Sequence, residues 1–162
     1  DRFIEDALAG GVDGLLIVDL PPEEDTELCL PAKDAGLKFI RLVTPTSDET
    51  RLPAILAEAN GFVYYVSVLG ITGTKSAAGN TISEAYQRIR AQTELPIVAG
   101  FGIRTPAQAA EAASLTDGAI VGSAVVDIIA NTLTDTPQEA KNDNIVQKVA
   151  TFVGELVTAI RK

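Results

Sequence analysis

Short apolar runs alternate along the chain with segments whose apolar positions recur every three or four residues, the pattern of strands each followed by a helix. Residues 14–20, 38–44, 61–67, 96–100 and 118–121 read as five strands. Their apolar character is continuous in places, as in Leu15-Leu16-Ile17-Val18, which marks strands covered on both faces of a parallel sheet. Helices are predicted over residues 1–9, with Phe3, Ile4, Ala7 and Leu8 on one face, and over 23–35, 49–59, 81–92 and 105–115. Gly122-Ser123 opens a short helix reaching Ile129, and a terminal helix over 144–161 carries Val146, Val149, Val153, Leu156 and Ile160 as its apolar stripe. Residues 132–143 read as a polar surface connection within one domain, and residues 68–80 as a long glycine-containing loop. A βα connection of that length is more often a lid over a site than a plain linker.

Alternation of strand and helix demands a parallel sheet joined by right-handed crossovers. An open doubly wound sheet and a sector of a (β/α)8 barrel both satisfy it. Two glycine clusters favour the barrel. Gly100-Phe101-Gly102-Ile103 and Gly122-Ser123-Ala124 each close an apolar run and open a helix, after the last two strands. Glycine there permits close approach of the backbone, and the free N–H groups of a new helix favour an anion. Loops after strands seven and eight commonly form such a phosphate site in a (β/α)8 barrel. The expected fold class is therefore α/β, a (β/α)8 TIM barrel represented by about five βα units, with residues 1–162 as a single domain. The first and last strands of such a sector leave edges that a closed barrel would pair.

A length of 162 residues suits one domain with a sizeable core. A net charge of −9 lacks the basic stripe of a sequence-independent nucleic-acid binder, so neither nucleic acid nor, without a long apolar span, a membrane is expected as a partner. The single cysteine, Cys29, excludes an internal disulfide and reads as a small buried apolar residue; with no signal-peptide pattern, the expected setting is cytoplasmic. The chain contains no His, which excludes imidazole acid/base chemistry and His-ligated metal sites, and the carboxylates show no ligand spacing, so no metal is expected. It also contains no Met, and a sequence opening on Asp1 is not expected to be a complete translation product as written.

Several residues carry candidate chemistry. Asp19, ending the first strand at the face where barrel enzymes keep their chemistry, is the best acid/base candidate, though an orienting role for the Pro21-Pro22 loop is the simpler reading. Glu23, Glu24 and Asp25 read as acidic residues stabilising a helix N-terminus. Gly102, Gly122 and Ser123 are candidate phosphate ligands. Gly70 and Gly73 are either ligands or hinges of the long loop, Phe101 and Tyr64 either core or pocket aromatics, and Lys75 a solvated loop lysine.

Taken together, Gly11-Val12-Asp13-Gly14, Asp19-Leu20-Pro21-Pro22-Glu23-Glu24, Thr44-Pro45-Thr46, Tyr64, Gly70-Ile71-Thr72-Gly73-Thr74, Gly100-Phe101-Gly102-Ile103 and Gly122-Ser123-Ala124 resemble the tryptophan synthase alpha subunit family in order and approximate spacing. The resemblance implies a lyase of tryptophan biosynthesis that splits indole-3-glycerol phosphate by a retro-aldol reaction into indole and glyceraldehyde 3-phosphate. It implies phosphate binding by Gly73, Gly102, Gly122 and Ser123, and an indole pocket walled by Leu16, Val18, Leu42, Tyr64, Phe101 and Ile120. It further places Gly70 and Thr72 in a closing lid and Pro21 in a loop contacting a beta subunit within an alpha2beta2 heterotetramer. No cofactor is implied for this chain, since pyridoxal phosphate belongs to the beta subunit. The family's catalytic glutamate and indole-binding aspartate fall in the part of the barrel that precedes Asp1, so these residues alone are expected to be inactive. A non-catalytic phosphate-binding or assembly module, or another phosphate-binding (β/α)8 isomerase, stands as the alternative. The apolar Leu16, Val18, Leu42 and Ile120 disfavour a sugar ring in the pocket.

Overall fold

The computed structural model describes residues 2–66, 75–100, 102–135 and 141–161, without the side chains of 75–81, 135 and 141. Five strands, β1 (Gly14–Leu16), β2 (Lys38–Val43), β3 (Val63–Val66), β4 (Ile97–Gly100) and β5 (Gly118–Ile120), form one sheet in the order β1-β2-β3-β4-β5, every pair parallel. Seven α-helices accompany them among the described residues: α1 (Arg2–Ala9), α2 (Cys29–Asp34), α3 (Leu52–Leu56), α4 (Lys75–Arg90), α5 (Pro106–Leu115), α6 (Ser123–Asp135) and α7 (Lys141–Ile160).

Strand order decides between the two architectures open at the level of sequence. A doubly wound sheet reverses its strand order at a switch point and carries helices on both faces. Here each strand pairs with its neighbour in sequence, and the helices among the described residues pack on one face. That face carries Leu15, Phe39, Val43, Val63, Tyr65, Ile97 and Ala99, which the ladder register brings into rows. Leu15 and Phe39 pack with Ile4 of α1 and Cys29 and Ala32 of α2. Val43, Val63, Tyr65, Ile97 and Ala99 pack with Leu52 of α3, Ile82, Ala85 and Ile89 of α4, Ala109 and Ala112 of α5 and Leu156 of α7. This is the sheet and outer helix layer of a (β/α)8 barrel, five units long. Cys29 is fully buried, as its apolar reading requires, and burial raises its thiol pKa above the ordinary value.

Two predicted helices are shorter than expected, for one reason. Pro31 has no N–H to donate and would break a helix running over residues 23–35. The chain instead forms a 3₁₀ turn at Pro22–Glu24 and restarts as α2 at Cys29, which puts Pro31 in the first turn, where its missing donor costs nothing. Pro53 does the same to α3, which begins at Leu52 after a turn in which Asp48 Oδ1 accepts from Arg51 N at 2.8 Å. The acidic residues 23–25 therefore do not stabilise the N-terminus of a long helix. β1 also ends early, at Leu16, because its last ladder pair is Leu16 with Ile40 and the chain then turns through Val18 and Asp19.

Other helices run longer. α4 begins at Lys75, six residues before its expected start at Thr81, so the connection after β3 is shorter than residues 68–80. α6 continues to Asp135 and α7 starts at Lys141, so most of the expected polar connection is helical, with 136–140 outside the described residues. Thr132 and Thr134 are accommodated because their hydroxyls donate to the carbonyls of Ile128 and Ala130, at 2.7 and 3.1 Å. The apolar stripe of α7 is also corrected. Leu156 is buried and Ile145, Val149, Phe152 and Ala159 are half-buried, whereas Val146 is 67% exposed and Val153 and Ile160 are exposed.

Candidate functional site

The face of the sheet away from the helices carries Leu16, Ile40, Leu42, Tyr64, Val98 and Ile120, joined in register through Leu16 with Ile40, Leu42 with Tyr64 and Tyr64 with Val98. Only Ile40 among these six is buried; Leu16 is 39% exposed. In a (β/α)8 barrel the face away from the helices points into the packed interior, and residues near the C-terminal ends of its strands border the ligand site. Four of the six residues expected to wall an indole pocket, Leu16, Leu42, Tyr64 and Ile120, thus share this face. Val18 does not: it lies in the turn beyond β1, 70% exposed. Phe101, Gly70, Thr72 and Gly73 lie outside the described residues.

Gly100 shows why the end of β4 is built from glycine. A β-carbon there would stand 2.9 Å from both Cβ and the carbonyl oxygen of Ile120, and 3.1 Å from Tyr64 Oη. The Tyr64 hydroxyl and Ile120 therefore close directly over the β4 backbone. Burial raises the Tyr64 pKa above the ordinary value, so the hydroxyl remains a neutral donor at physiological pH.

The two glycine loops leave the sheet side by side, since Gly100 pairs with Ile120 in the β4–β5 ladder. Gly102 has φ +74°, a left-handed conformation with open space around it. Beyond it the chain is fixed by a capping box at the start of α5. Thr105 Oγ accepts from Gln108 N at 3.2 Å, and Gln108 Oε1 accepts from Thr105 N at 3.1 Å and Arg104 N at 2.8 Å. Gly122 caps α6: its carbonyl accepts from Val125 and Val126, at 2.9 and 3.2 Å, while the amides of Ser123 and Ala124 open the helix without an intrahelical acceptor. Arg104 pairs with Asp127 across the two loops. A β-carbon added at Gly122 would meet nothing within 4 Å outside its chain neighbours.

Asp19 is exposed in the turn after β1, and Pro21 follows it in the same rim segment. Two arginines that sequence reasoning passed over hold this segment. Arg41 of β2 donates to Asp25 Oδ1 and to the Leu20 carbonyl, and Arg51 donates to both carboxylate oxygens of Glu23. The sequence signal was present: Arg41 interrupts the alternation Phe39, Arg41, Val43 at a core position. Hydrogen bonds from Arg51 lower the Glu23 pKa from the ordinary 4.5 to about 2. A lowered folded-state value means that the pair's contribution is complete above the ordinary value and is lost as pH falls through about 2. The Glu23 carboxyl carbon followed by NMR is expected to titrate near the lower value, and in Arg51→Ala to return towards 4.5; a midpoint near 4.5 in the unaltered chain would rule the pairing out. Among the described residues no three His, Cys, Asp or Glu side chains gather as a metal-binding group, and no helix is long and apolar enough to cross a membrane.

A parallel sheet in sequential order, helices on its outer face, an apolar inner face and two adjacent glycine loops at its C-terminal rim define a (β/α)8 barrel architecture. Comparison with known proteins narrows this. A family model described as tryptophan synthase alpha chain matches residues 1–161. The chain is similar to the tryptophan synthase subunit alpha of Legionella pneumophila str. Paris, at 34% identity and TM-score 0.80 over 99% of this chain and 56% of that one. It is also similar to subunit alpha from Campylobacter jejuni, at 28% identity and TM-score 0.78 over 91% and 56%. A third likeness is to tryptophan synthase from M. tuberculosis in an aminoacrylate-bound form, at 31% identity and TM-score 0.74 over 98% and 55%. The chain belongs to the tryptophan synthase alpha chain family. It spans a little over half the length of these solved relatives.

Proposed function

We propose that this chain supplies the phosphate cradle and much of the indole wall of an indole-3-glycerol phosphate lyase of tryptophan biosynthesis, working with a beta subunit in the cytoplasm. The observation that carries the proposal is the pairing of an apolar inner face, at the C-terminal ends of its strands, with two glycine loops at its rim. The planar indole lies against Leu16, Leu42, Tyr64 and Ile120, and Phe101 is assigned to the same wall. The phosphate is held by the backbone at Gly102, Gly122 and Ser123, with Gly73 as a further ligand and Gly70 and Thr72 in the lid. Anchoring both ends of the substrate fixes the bond between them, so that binding energy is used for orientation.

Cleavage requires a proton delivered to the indole carbon that leaves and a proton removed from the hydroxyl that becomes the aldehyde; the electrons of the broken C–C bond pass to the indole ring. A carboxyl group within hydrogen-bond reach typically contributes about 10²–10⁴-fold to such a step. The resemblance places the family's glutamate and aspartate before Asp1, outside these 162 residues, and Asp19 is the rim carboxylate with the best claim to the role among them.

Two measurements test the reading. A non-cleavable indole-alkyl phosphate is expected to bind the 162 residues, and Gly102→Ala to weaken it about five- to thirtyfold, because a β-carbon at φ +74° costs roughly 1–2 kcal/mol, which the free loop relieves by leaving the binding conformation. Indole release from indole-3-glycerol phosphate is expected to be absent, with or without added beta chain. Failure to bind the phosphate ligand would sink the proposal. Release that disappears in Asp19→Asn would instead assign proton transfer to this chain, and binding of simple phosphates without preference for the indole would favour a non-catalytic module.

A further inference from the structure

The segment that leaves β1 belongs to no strand, and most of it to no α-helix. Pro21 and Pro22 lack the N–H groups by which a backbone ladder would hold it. Apart from local turn bonds, from Glu24 N and Asp25 N to the carbonyls of Pro21 and Pro22, it is held by side chains. Arg41 is 4% exposed, with Nη2 on Asp25 Oδ1, Nη1 3.3 Å from the Leu20 carbonyl and the guanidinium carbon 4.7 Å from the centroid of the Phe39 ring. Asp25 is itself 7% exposed. Arg51, immediately before α3, grips Glu23 through both oxygens, one at 2.8 Å. Three points of one short segment, Leu20, Glu23 and Asp25, are thereby tied to β2 and α3. A partly open cleft of about 150 Å³ lies against them, lined by Leu20, Pro21, Pro22, Arg41, Arg51 and Ile55 among others.

A buried ion pair is a poor source of net stability, because apolar residues of the same volume serve as well or better. What a planar guanidinium with several fixed donors does impose is geometry, since it accepts its carboxylate and carbonyl in one arrangement. Arg41 faces the helix layer, so it does not touch a ligand on the inner face. It can act on the site only through the segment it holds.

We propose that Arg41 and Arg51 are positioning residues that clamp residues 20–25 and so set the pose of Asp19 and Pro21 at the C-terminal rim, where a partner chain docks. The docking clause rests on the function proposed above; the clamp itself does not.

Amide hydrogen exchange of this chain, read at Glu24, Asp25 and Glu27, whose amides close the turns of the segment, tests the clamp directly. Asp25→Asn is expected to speed exchange there about tenfold and Arg51→Ala about fivefold, with α5 to α7 unchanged. Arg51→Ala alters an exposed pair and retains the fold, so the test survives if Asp25→Asn unfolds. The same variants are expected to weaken binding of a tryptophan synthase beta chain about five- to tenfold while leaving affinity for the indole-alkyl phosphate within about twofold. Arg51→Lys, which keeps the charge and loses the fork, is expected to restore only part of either effect. Unchanged exchange in both variants overturns the clamp. Faster exchange with unaltered beta-chain affinity overturns its role in docking. A wild-type chain that binds neither beta chain nor indole-alkyl phosphate overturns the proposed function, and the exchange rates still decide the clamp.

Discussion

Asp25→Ala is expected to cost this chain about 3–5 kcal/mol of folding stability, the largest effect of any single substitution at the rim. Removing the carboxylate leaves the Arg41 guanidinium charged, 4% exposed and surrounded by Phe39 and its apolar row, with the Leu20 carbonyl as its remaining partner. Loss of that size is a large part of the roughly 5–15 kcal/mol that holds a domain together, and urea unfolding measures it. The double replacement Arg41→Met with Asp25→Leu removes both charges and keeps the volume, and it is expected to fall within about 1 kcal/mol of the parent or above it. The contrast separates the cost of an orphaned charge from the worth of the pair. A mild loss in Asp25→Ala would show that the guanidinium reaches solvent once released.

Gly100→Ala carries the second large effect. The added carbon would meet Cβ and the carbonyl oxygen of Ile120 at 2.9 Å, neither of which is the free end of a flexible side chain, and Tyr64 Oη at 3.1 Å. β4 and β5 must part or β4 must bend, for an expected loss of about 2–3 kcal/mol, at the upper end of overpacking costs. Tyr64 moves with them, so affinity for an indole-alkyl phosphate is expected to fall beyond what stability alone explains. Gly122→Ala serves as the control. Its β-carbon enters open space, so only the poorer N-cap preference of Ala counts, and a loss of no more than about 1 kcal/mol is expected. Equal losses at the two positions would mean that the close approach at Gly100 has little energetic weight.

Much of this was legible in the sequence because it depends on local chemistry. The five strands follow from continuous apolar runs, and the helix following Gly122 follows from glycine at a strand end. Four members of the inner apolar face followed from position and family resemblance. The acidic trio at 23–25 was misassigned, because helix-start chemistry and ion pairing use the same residues and differ only in what stands opposite. Arg41 and Arg51 lie 16 to 28 positions away in the chain, and no local pattern names them as partners.

Composition and spacing alone determined that the chain alternates strand with helix, lacks imidazole chemistry and carries two glycine loops at the ends of successive strands. Packing decided the rest. α7 offers two apolar stripes at helical spacing, one through Val146, Val153 and Ile160 and one through Ile145, Phe152 and Ala159, with Val149 and Leu156 common to both. Only contact with α5 and α6 selects the second. Sequential strand order, helices on one face and the tie of the rim to β2 and α3 are likewise properties of pairing between distant residues. A chain's local propensities set which elements form; which faces meet depends on burying the most apolar area at once, and that is settled only when all the elements are in place.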